Sequence, residues 1–354
     1  MTPEEQPFRG NTYRSLSELR VWHGATREEA LEPDLPIVDP HHHLWEDNTR
    51  GRYLLNELVE DISGGHKIEA TVFEECGAMY RSRGPRPMKP VGEIEFVAGV
   101  AAMSDSGNYG PTRACAGIVG TAELKLGDAV QEVLEAQIAA GGGRFRGVRD
   151  PVQYDAAIVN APGQRRRPPG LLMDPQFRAG FARLAALGLT FDAWLFQPQL
   201  PDLIDFAGSF PGTTIVLNHF GGPLGVGPYA NRRSEMFDAW RHSIGELARR
   251  PNVVVKAGGL GMLYCGFDFH LRPAPPTSEE VASVWRPYVE ATIEAFGAER
   301  CMFESNFPVD KQSCSYTALW NAFKRIAARY SKDEKAALFG GTAKRVYRLD
   351  LTSA

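Results

Sequence analysis

The chain is poor in the features that assign a protein to a class at a glance. Its 354 residues hold five cysteines, Cys76, Cys115, Cys265, Cys301 and Cys314, scattered and without a CxxC pair. Neither a disulfide framework nor a cysteine-bound zinc knot is indicated, and the five read as reduced packing residues. No apolar run approaches the roughly 20 residues that cross a bilayer. The opening MTPEEQPFRG lacks a charged start followed by an apolar stretch, so a cytoplasmic protein with no membrane partner is expected. Basic residues are outnumbered, 39 Lys and Arg against 43 Asp and Glu, for a net charge of −4. Without a basic stripe to neutralise phosphates, nucleic acid is not an expected partner. No GxGxxG follows the first apolar run, which counts against an open dinucleotide-binding sheet. Gly141-Gly142-Gly143 reads as a helix end and turn rather than a phosphate cradle, because no helix follows it directly. There is no internal repeat and no linker.

What is present is ordinary globular material, 43% hydrophobic and 10% aromatic, long enough for a large α/β barrel with additions. From Leu35 a regular grammar runs to the end. Short apolar, β-branched segments end in polar residues and lead into segments of helical period. Strands are predicted at 36–39, 70–75, 117–123, 145–149, 189–196, 213–218, 252–256 and 300–305. Helices are predicted near 90–104, 127–140, 174–187, 201–209, 234–250, 278–297, 315–329 and 332–347. Eight alternating units imply a parallel sheet with right-handed crossovers, and that number favours a closed (β/α)8 barrel with long βα loops. Residues 1–34 read as an arm and 35–354 as a single barrel domain. The irregular stretch from Pro151 to Asp174 would lie at the barrel mouth. Its Arg165, Arg166 and Arg167 read as a solvated loop, with a substrate clamp as the sharper alternative.

Chemistry concentrates at the strand ends. In Asp39-Pro40-His41-His42-His43-Leu44-Trp45, extended backbone puts His41 and His43 on one face and His42 on the other. Two imidazoles at a barrel mouth make a metal-binding pair. His219, in Asn218-His219-Phe220-Gly221-Gly222-Pro223, ends the sixth strand. Glu304-Ser305-Asn306-Phe307-Pro308 follows the eighth. Arg149, at the end of strand four, suits a bidentate clamp on a carboxylate or polarised carbonyl, and Arg146 lies three residues before it. Either could instead anchor a loop. Lys256 ends strand seven and could stabilise an oxyanion or sit in a buried ion pair. Trp45, Tyr80, Trp194 and Phe307 fall near strand ends, where they would flank a flat ring or simply pack.

These motifs resemble those of the amidohydrolase superfamily, in particular the amidohydrolase 2 branch that contains pyrone-dicarboxylate lactonase, sulfomuconolactonase and fuconolactonase. The similarity rests on the HxH of His41 and His43, the RGVR from Arg146 to Arg149, the Gln197-Pro198-x-Leu200 run, the NHxGxP around His219 and the SDxP position of strand eight. It spans about Pro36 to Leu349. It implies a hydrolase that opens a lactone or cyclic amide by attack of water on a carbonyl, with a single-metal decarboxylase or a binding protein without turnover as alternatives. It also implies one divalent metal, zinc first, on His41 and His43 with His219 or Asn306 completing the set, although a metal-free lactonase site stays open. The departures are Asn306 where the pattern has Asp, and Gln197 where many amidohydrolases have His. An amide is neither a general base nor an anionic ligand. Glu75 is the carboxylate expected to replace it, with a capping or ion-paired role as the alternative; Glu74 and Glu304 flank it, and strand alternation lets only one of Glu74 and Glu75 face the site. The expected catalytic set is therefore His41, His43, His219, Asn306 and Glu75. Arg149, Arg146, Lys256, Trp45, Tyr80, Trp194 and Gln197 are expected to bind a small carbonyl substrate. A homo-oligomer is compatible with all of this.

Overall fold

The computed structural model describes residues 14–158 and 167–351. β1 (Pro36–His42) leads into a small antiparallel hairpin of β2 (Trp45–Asp47) and β3 (Gly51–Tyr53), and then come β4 (Lys67–Glu74), β5 (Arg113–Gly120), β6 (Phe145–Val148), β7 (Thr190–Ala193), β8 (Ile215–Leu217), β9 (Val253–Ala257) and β10 (Cys301–Phe303). Apart from the hairpin, the strands form one parallel sheet in chain order, β1-β4-β5-β6-β7-β8-β9-β10. The two edges meet at the mouth, where His43 N donates to Phe307 O at 2.8 Å and Asn306 N donates to His41 O at 3.0 Å. The eight expected strands are all found. This is a (β/α)8 barrel.

The outer layer holds α1 (Leu16–Gly24), α2 (Leu55–Ile62), α3 (Val91–Asp105), α4 (Val130–Ala140), α5 (Pro175–Ala186), α6 (Leu200–Ser209), α7 (Arg233–Ala248), α8 (Ser278–Phe296), α9 (Tyr316–Ala327), α10 (Lys332–Ala336) and α11 (Thr342–Val346). Their starts follow local chemistry. Asp174 accepts from the N–H groups of Gln176 and Phe177 ahead of Pro175 in α5, and Thr277 with Glu280 forms a capping box on α8, each satisfying donors that a helix start leaves free. The hairpin and α2 were not expected from sequence. α1 lies against the loop after β9, with the Trp22 indole donating to Arg272 O at 3.1 Å. We keep the division into an arm (1–34) and a barrel domain (35–354) as a proposal, with residues 1–13 outside the described part.

The barrel lumen is layered. Val38, Ala70, Val72, Val119, Val216, Val254 and Met302 pack with Ala343, Val346 and Tyr347 into a buried apolar floor. The last three come from α11 and the residue after it, so the chain's end closes the bottom. Side chains alternate along a strand, so the residue two beyond each floor residue points into the same lumen one layer higher. Val72 leads to Glu74, Val216 to Asn218, Val254 to Lys256 and Met302 to Glu304. A charged layer thus sits directly on an apolar one. β1 enters that layer out of phase, because its pairing with β4 shifts between Asp39 and His42, and His41 rather than His42 faces inward.

Candidate active site

The charged layer and the histidines form one buried constellation. Lys256 Nζ lies 2.7 Å from Glu74 Oε2 and 2.7 Å from Asp192 Oδ2, and 3.4 Å from His41 Nδ1. Glu304 bridges two imidazoles, Oε2 lying 2.8 Å from His41 Nδ1 and Oε1 2.7 Å from His219 Nδ1. His43 Nε2 is 3.3 Å from His41 Nε2, while its Nδ1 lies 2.9 Å from Glu74 O. Arg149 Nε donates to Glu75 Oε1 at 2.8 Å and lies 3.4 Å from Glu74 Oε1. His41, Glu74, Asp192, Lys256 and Glu304 are all fully buried.

Local backbone makes the room. Gly259 has φ +77°, and a Cβ there would lie 2.3 Å from His219 Nδ1; a Cβ on Gly258 would lie 2.5 Å from Glu304 Cγ. The Gly258-Gly259 pair after β9 therefore lets both side chains approach. His219, Phe220 and Asn306 adopt positive φ without being glycine, conformations that L-residues take at a cost and that recur where surrounding structure holds functional groups in place.

Burial sets the electrostatics. It pushes all three imidazoles well below the ordinary histidine value, aided by Lys256 at His41 and by Arg149 at His43 and His219. Neutral imidazole is the form that binds a metal. Burial also raises the Glu304 carboxyl to about 8 against the pull of Lys256, and raises Glu74, with Asp192 adding repulsion and Lys256 opposing. Lys256 goes the other way, because Asp192 and Glu74 outweigh its desolvation and raise it. Four carboxylates, Glu74, Glu75, Asp192 and Glu304, face two permanent cations, Arg149 and Lys256. Among the described residues that leaves two negative charges unbalanced if all ionise, and Glu74 Oε1 and Asp192 Oδ1 make no hydrogen bond. Such groups either hold protons or share a cation.

His41, His219 and Glu304 offer ligand atoms within 4.8 Å of one another. Two imidazoles and a carboxylate suit zinc and similar divalent ions. The donor set and the unbalanced charge both fit a metal.

The sequence-derived site is partly regrouped. His41, His43, His219, Arg149 and Lys256 converge as described. His42 faces away, with its Nε2 2.8 Å from Thr71 Oγ1, and burial takes it down to about 3. Glu74 and Glu75 both reach Arg149, against the expectation that only one could face the site; β4 ends at Glu74, so alternation no longer governs Glu75. Asn306 is buried beside the site, but its amide donates to Asp310 Oδ1 at 2.8 Å, and the metal-capable set contains Glu304 instead. Arg146 is displaced altogether. It lies at the opposite end of the barrel, donating to the carbonyls of Gly143 and Phe145, because it is the second residue of β6, at the start of the strand and below Val148. Gln197 donates to Met236 O at 2.6 Å and so ties the loop after β7 to α7.

Trp45 and Trp194 flank the histidines, Trp45 stacked on His43 with ring centroids 5.9 Å apart and Trp194 edge-on to His219 at 5.0 Å. Tyr80 is half-buried in the loop after β4. Arg167 is not solvated: its guanidinium pairs with the buried Asp150. Arg165 and Arg166 lie outside the described residues. Sequence reasoning missed Asp192 entirely and gave Glu304 only a flanking place. For Glu304 the signal was available in the two-residue step from the lumen residue Met302; Asp192, two after Thr190, carried no such signal.

A parallel eight-stranded barrel with histidines and a carboxylate clustered at the carboxyl ends of its strands defines a barrel enzyme whose site could hold a metal ion. The comparisons specify it: the amidohydrolase family model matches residues 38–349, and the chain belongs to that family. It is an amidohydrolase-family hydrolase acting on small molecules. It is 35% identical over 337 residues to the uncharacterized protein y4mH of Sinorhizobium fredii, covering 89% of this chain and 99% of that protein. It is 27% identical over 330 residues to an L-fucono-1,5-lactonase of Burkholderia ambifaria, covering 89% of this chain and 97% of that enzyme. Among solved structures, an amidohydrolase from Burkholderia multivorans with bound zinc superposes with a TM-score of 0.67 at 25% identity, over 89% of this chain and 99% of that one. No helix among the described residues is long and apolar enough to cross a membrane.

Proposed function

We propose that this enzyme opens a lactone ring by attack of water on the ring carbonyl, with one divalent cation, zinc by donor chemistry, held by His41, His219 and Glu304 and with His43 beside them. The observation that carries the reading is the convergence of these side chains, buried and short of positive charge, at the barrel mouth. The lactonase names among its relatives support the substrate class. When bound, such an ion polarises a carbonyl and acidifies water.

The protein's own groups supply the rest. Arg149 and Lys256 present fixed positive charge within 3.5 Å of His41, where a developing oxyanion gains from donors already in place. Glu75, slightly more exposed than Glu74 and held by Arg149, is the group placed to take a proton from incoming water and return it to the leaving oxygen. Trp45 and Trp194 give the ring two apolar walls.

The test is a lactone panel assayed by acid release in zinc-supplemented enzyme. Turnover of at least one lactone should fall more than about 100-fold in both His41→Ala and His219→Ala with unchanged circular dichroism. Equal turnover in both variants would remove the site assignment. Binding without turnover across the panel would favour the non-hydrolytic reading.

A further inference from the structure

The loop that carries Glu75 is seated on a buried carboxyl to which the hydrolysis gives no part. β4 ends at Glu74, so strand alternation does not aim Glu75, and the backbone beyond the strand must do so. Glu75 N still donates to Val119 O at 2.9 Å. The chain then leaves the sheet through Cys76, Gly77 and Ala78. Gly77 has φ +76°, and on either side of it the N–H groups of Cys76 and Ala78 donate to one atom, Glu93 Oε1, at 3.1 and 2.7 Å. Amides that converge across a left-handed residue make a concave anion seat of the backbone. Here a side chain of the protein itself fills it.

Glu93 lies in the first turn of α3 and is fully buried. Gly92 beside it lets the loop come close, since a Cβ there would lie 2.6 Å from Arg81 N and 2.7 Å from Met79 O. Arginines hold the same loop through its other groups. Arg149 donates through Nε to Glu75 Oε1 at 2.8 Å and through a second nitrogen to Glu75 O, while Arg50 donates to Cys76 O at 3.1 Å. Glu75 is thus fixed between Arg149 and the seat on Glu93. Burial, followed by the charge of Glu75, raises the Glu93 carboxyl to about 8 against the pull of the two amides. The protonated acid is a form that glutamine copies, with one acceptor oxygen and one donor. Such anchoring bears on rate, because misplacing a reacting group by about 1 Å costs on the order of 100-fold.

We propose that Glu93 is a positioning residue for the hydrolysis: it seats the loop after β4 so that Glu75 stands where it exchanges a proton with water, and it does not touch the substrate. The inference rests on the role given to Glu75 above and extends it to the helix behind the loop.

Amide hydrogen exchange across residues 75–81 and lactone kinetics, both on the whole zinc-supplemented enzyme, test this in Glu93→Ala, Glu93→Gln, Glu75→Gln and the Glu75→Gln/Glu93→Ala double variant. Glu93→Met, which fills the space without a carboxyl acceptor, replaces Glu93→Ala if that variant does not fold. In Glu93→Ala, exchange in the loop should rise about tenfold or more. Its kcat should fall about 10- to 100-fold with KM within about twofold, and zinc content should not change. Glu93→Gln should restore slow exchange and most of the lost rate, because its amide oxygen accepts from the same N–H groups. In the Glu75→Gln background, Glu93→Ala should cost less than about twofold more, since residues that act as one unit are not additive. A purely structural role would leave the two losses to multiply. Unchanged exchange in Glu93→Ala, multiplying losses, or Glu93→Gln as impaired as Glu93→Ala overturns the proposal. Full turnover in Glu75→Gln removes the role of Glu75 and this inference with it. A wild type inert on every lactone defeats the hydrolytic reading instead, and the exchange rates still decide whether Glu93 seats the loop.

Discussion

Asn306 shows how a single residue's neighbours change what its chemistry means. Read as a substitute for a family aspartate, it was expected near the metal. In the structure its amide nitrogen serves Asp310, a buried carboxyl that also accepts from Gly261 N at 2.8 Å and whose proton affinity burial lifts to about 8. Asn306→Asp therefore sets a second carboxyl against the first. Stability at pH 7 should drop by about 1–3 kcal/mol, measured by urea unfolding, and metal content should not rise. The deficit should shrink toward acid pH, because a carboxyl whose folded pKa is raised binds its proton more readily in the native state than in the unfolded chain. A gain in bound metal would place the residue among the ligands after all.

At the scale of elements, the site is made by where strands stop. Each of β4, β9 and β10 passes from a lumen valine or methionine to a charged residue two positions on, and the glycines after β9 clear space for His219 and Glu304. A methyl group on Gly259 has nowhere to go: it would lie 2.6 Å from His219 Cγ as well as 2.3 Å from Nδ1, and φ +77° already penalises a side chain. Gly259→Ala should leave the fold recognisable by circular dichroism, yet cost about 1–3 kcal/mol and displace the His219 ring, read as lost metal affinity. Retained affinity would mean the loop yields instead of the histidine. The strands themselves were legible in sequence because parallel strands covered on both faces are nearly continuous apolar runs. The hairpin β2–β3 and α2 were not, since three-residue strands and an eight-residue helix fall below the length at which period becomes visible. His41 and His43 were legible on one face, as found; the local register shift in β1 that turns this face inward was not. The expectation that Glu74 and Glu75 could not both face the site failed because β4 ends at Glu74, and the expectation for Arg146 failed because it sits low in β6, near the strand's start.

On the scale of the whole molecule, two largely buried histidines outside the site contribute stability that is lost in acid, opposite in sign to the raised carboxyls such as Asp310. His66 is buried, with its Nδ1 2.9 Å from Lys324 Nζ, and burial followed by that ammonium lowers it to about 4; His23, bonded to Lys311 O, is lowered likewise. Between their unfolded pKa near 6.5 and about 4, the unfolded chain takes up protons that the native state refuses. Stability is therefore lost as pH falls through that window. For His66 the loss should reach about 1–2 kcal/mol by pH 5, and His66→Gln should remove that much of the difference between urea unfolding at pH 7 and pH 5. An unchanged difference would show that His66 is protonated in the fold.

The measurement that bears most directly on the central claim is metal content by elemental analysis of enzyme purified without chelator and dialysed against zinc. About one equivalent is expected in the wild type and in Asn306→Asp, and its loss in His41→Ala, His219→Ala and Glu304→Gln. Metal held equally in all of them, or none in the wild type, would contradict a cation site on these three residues.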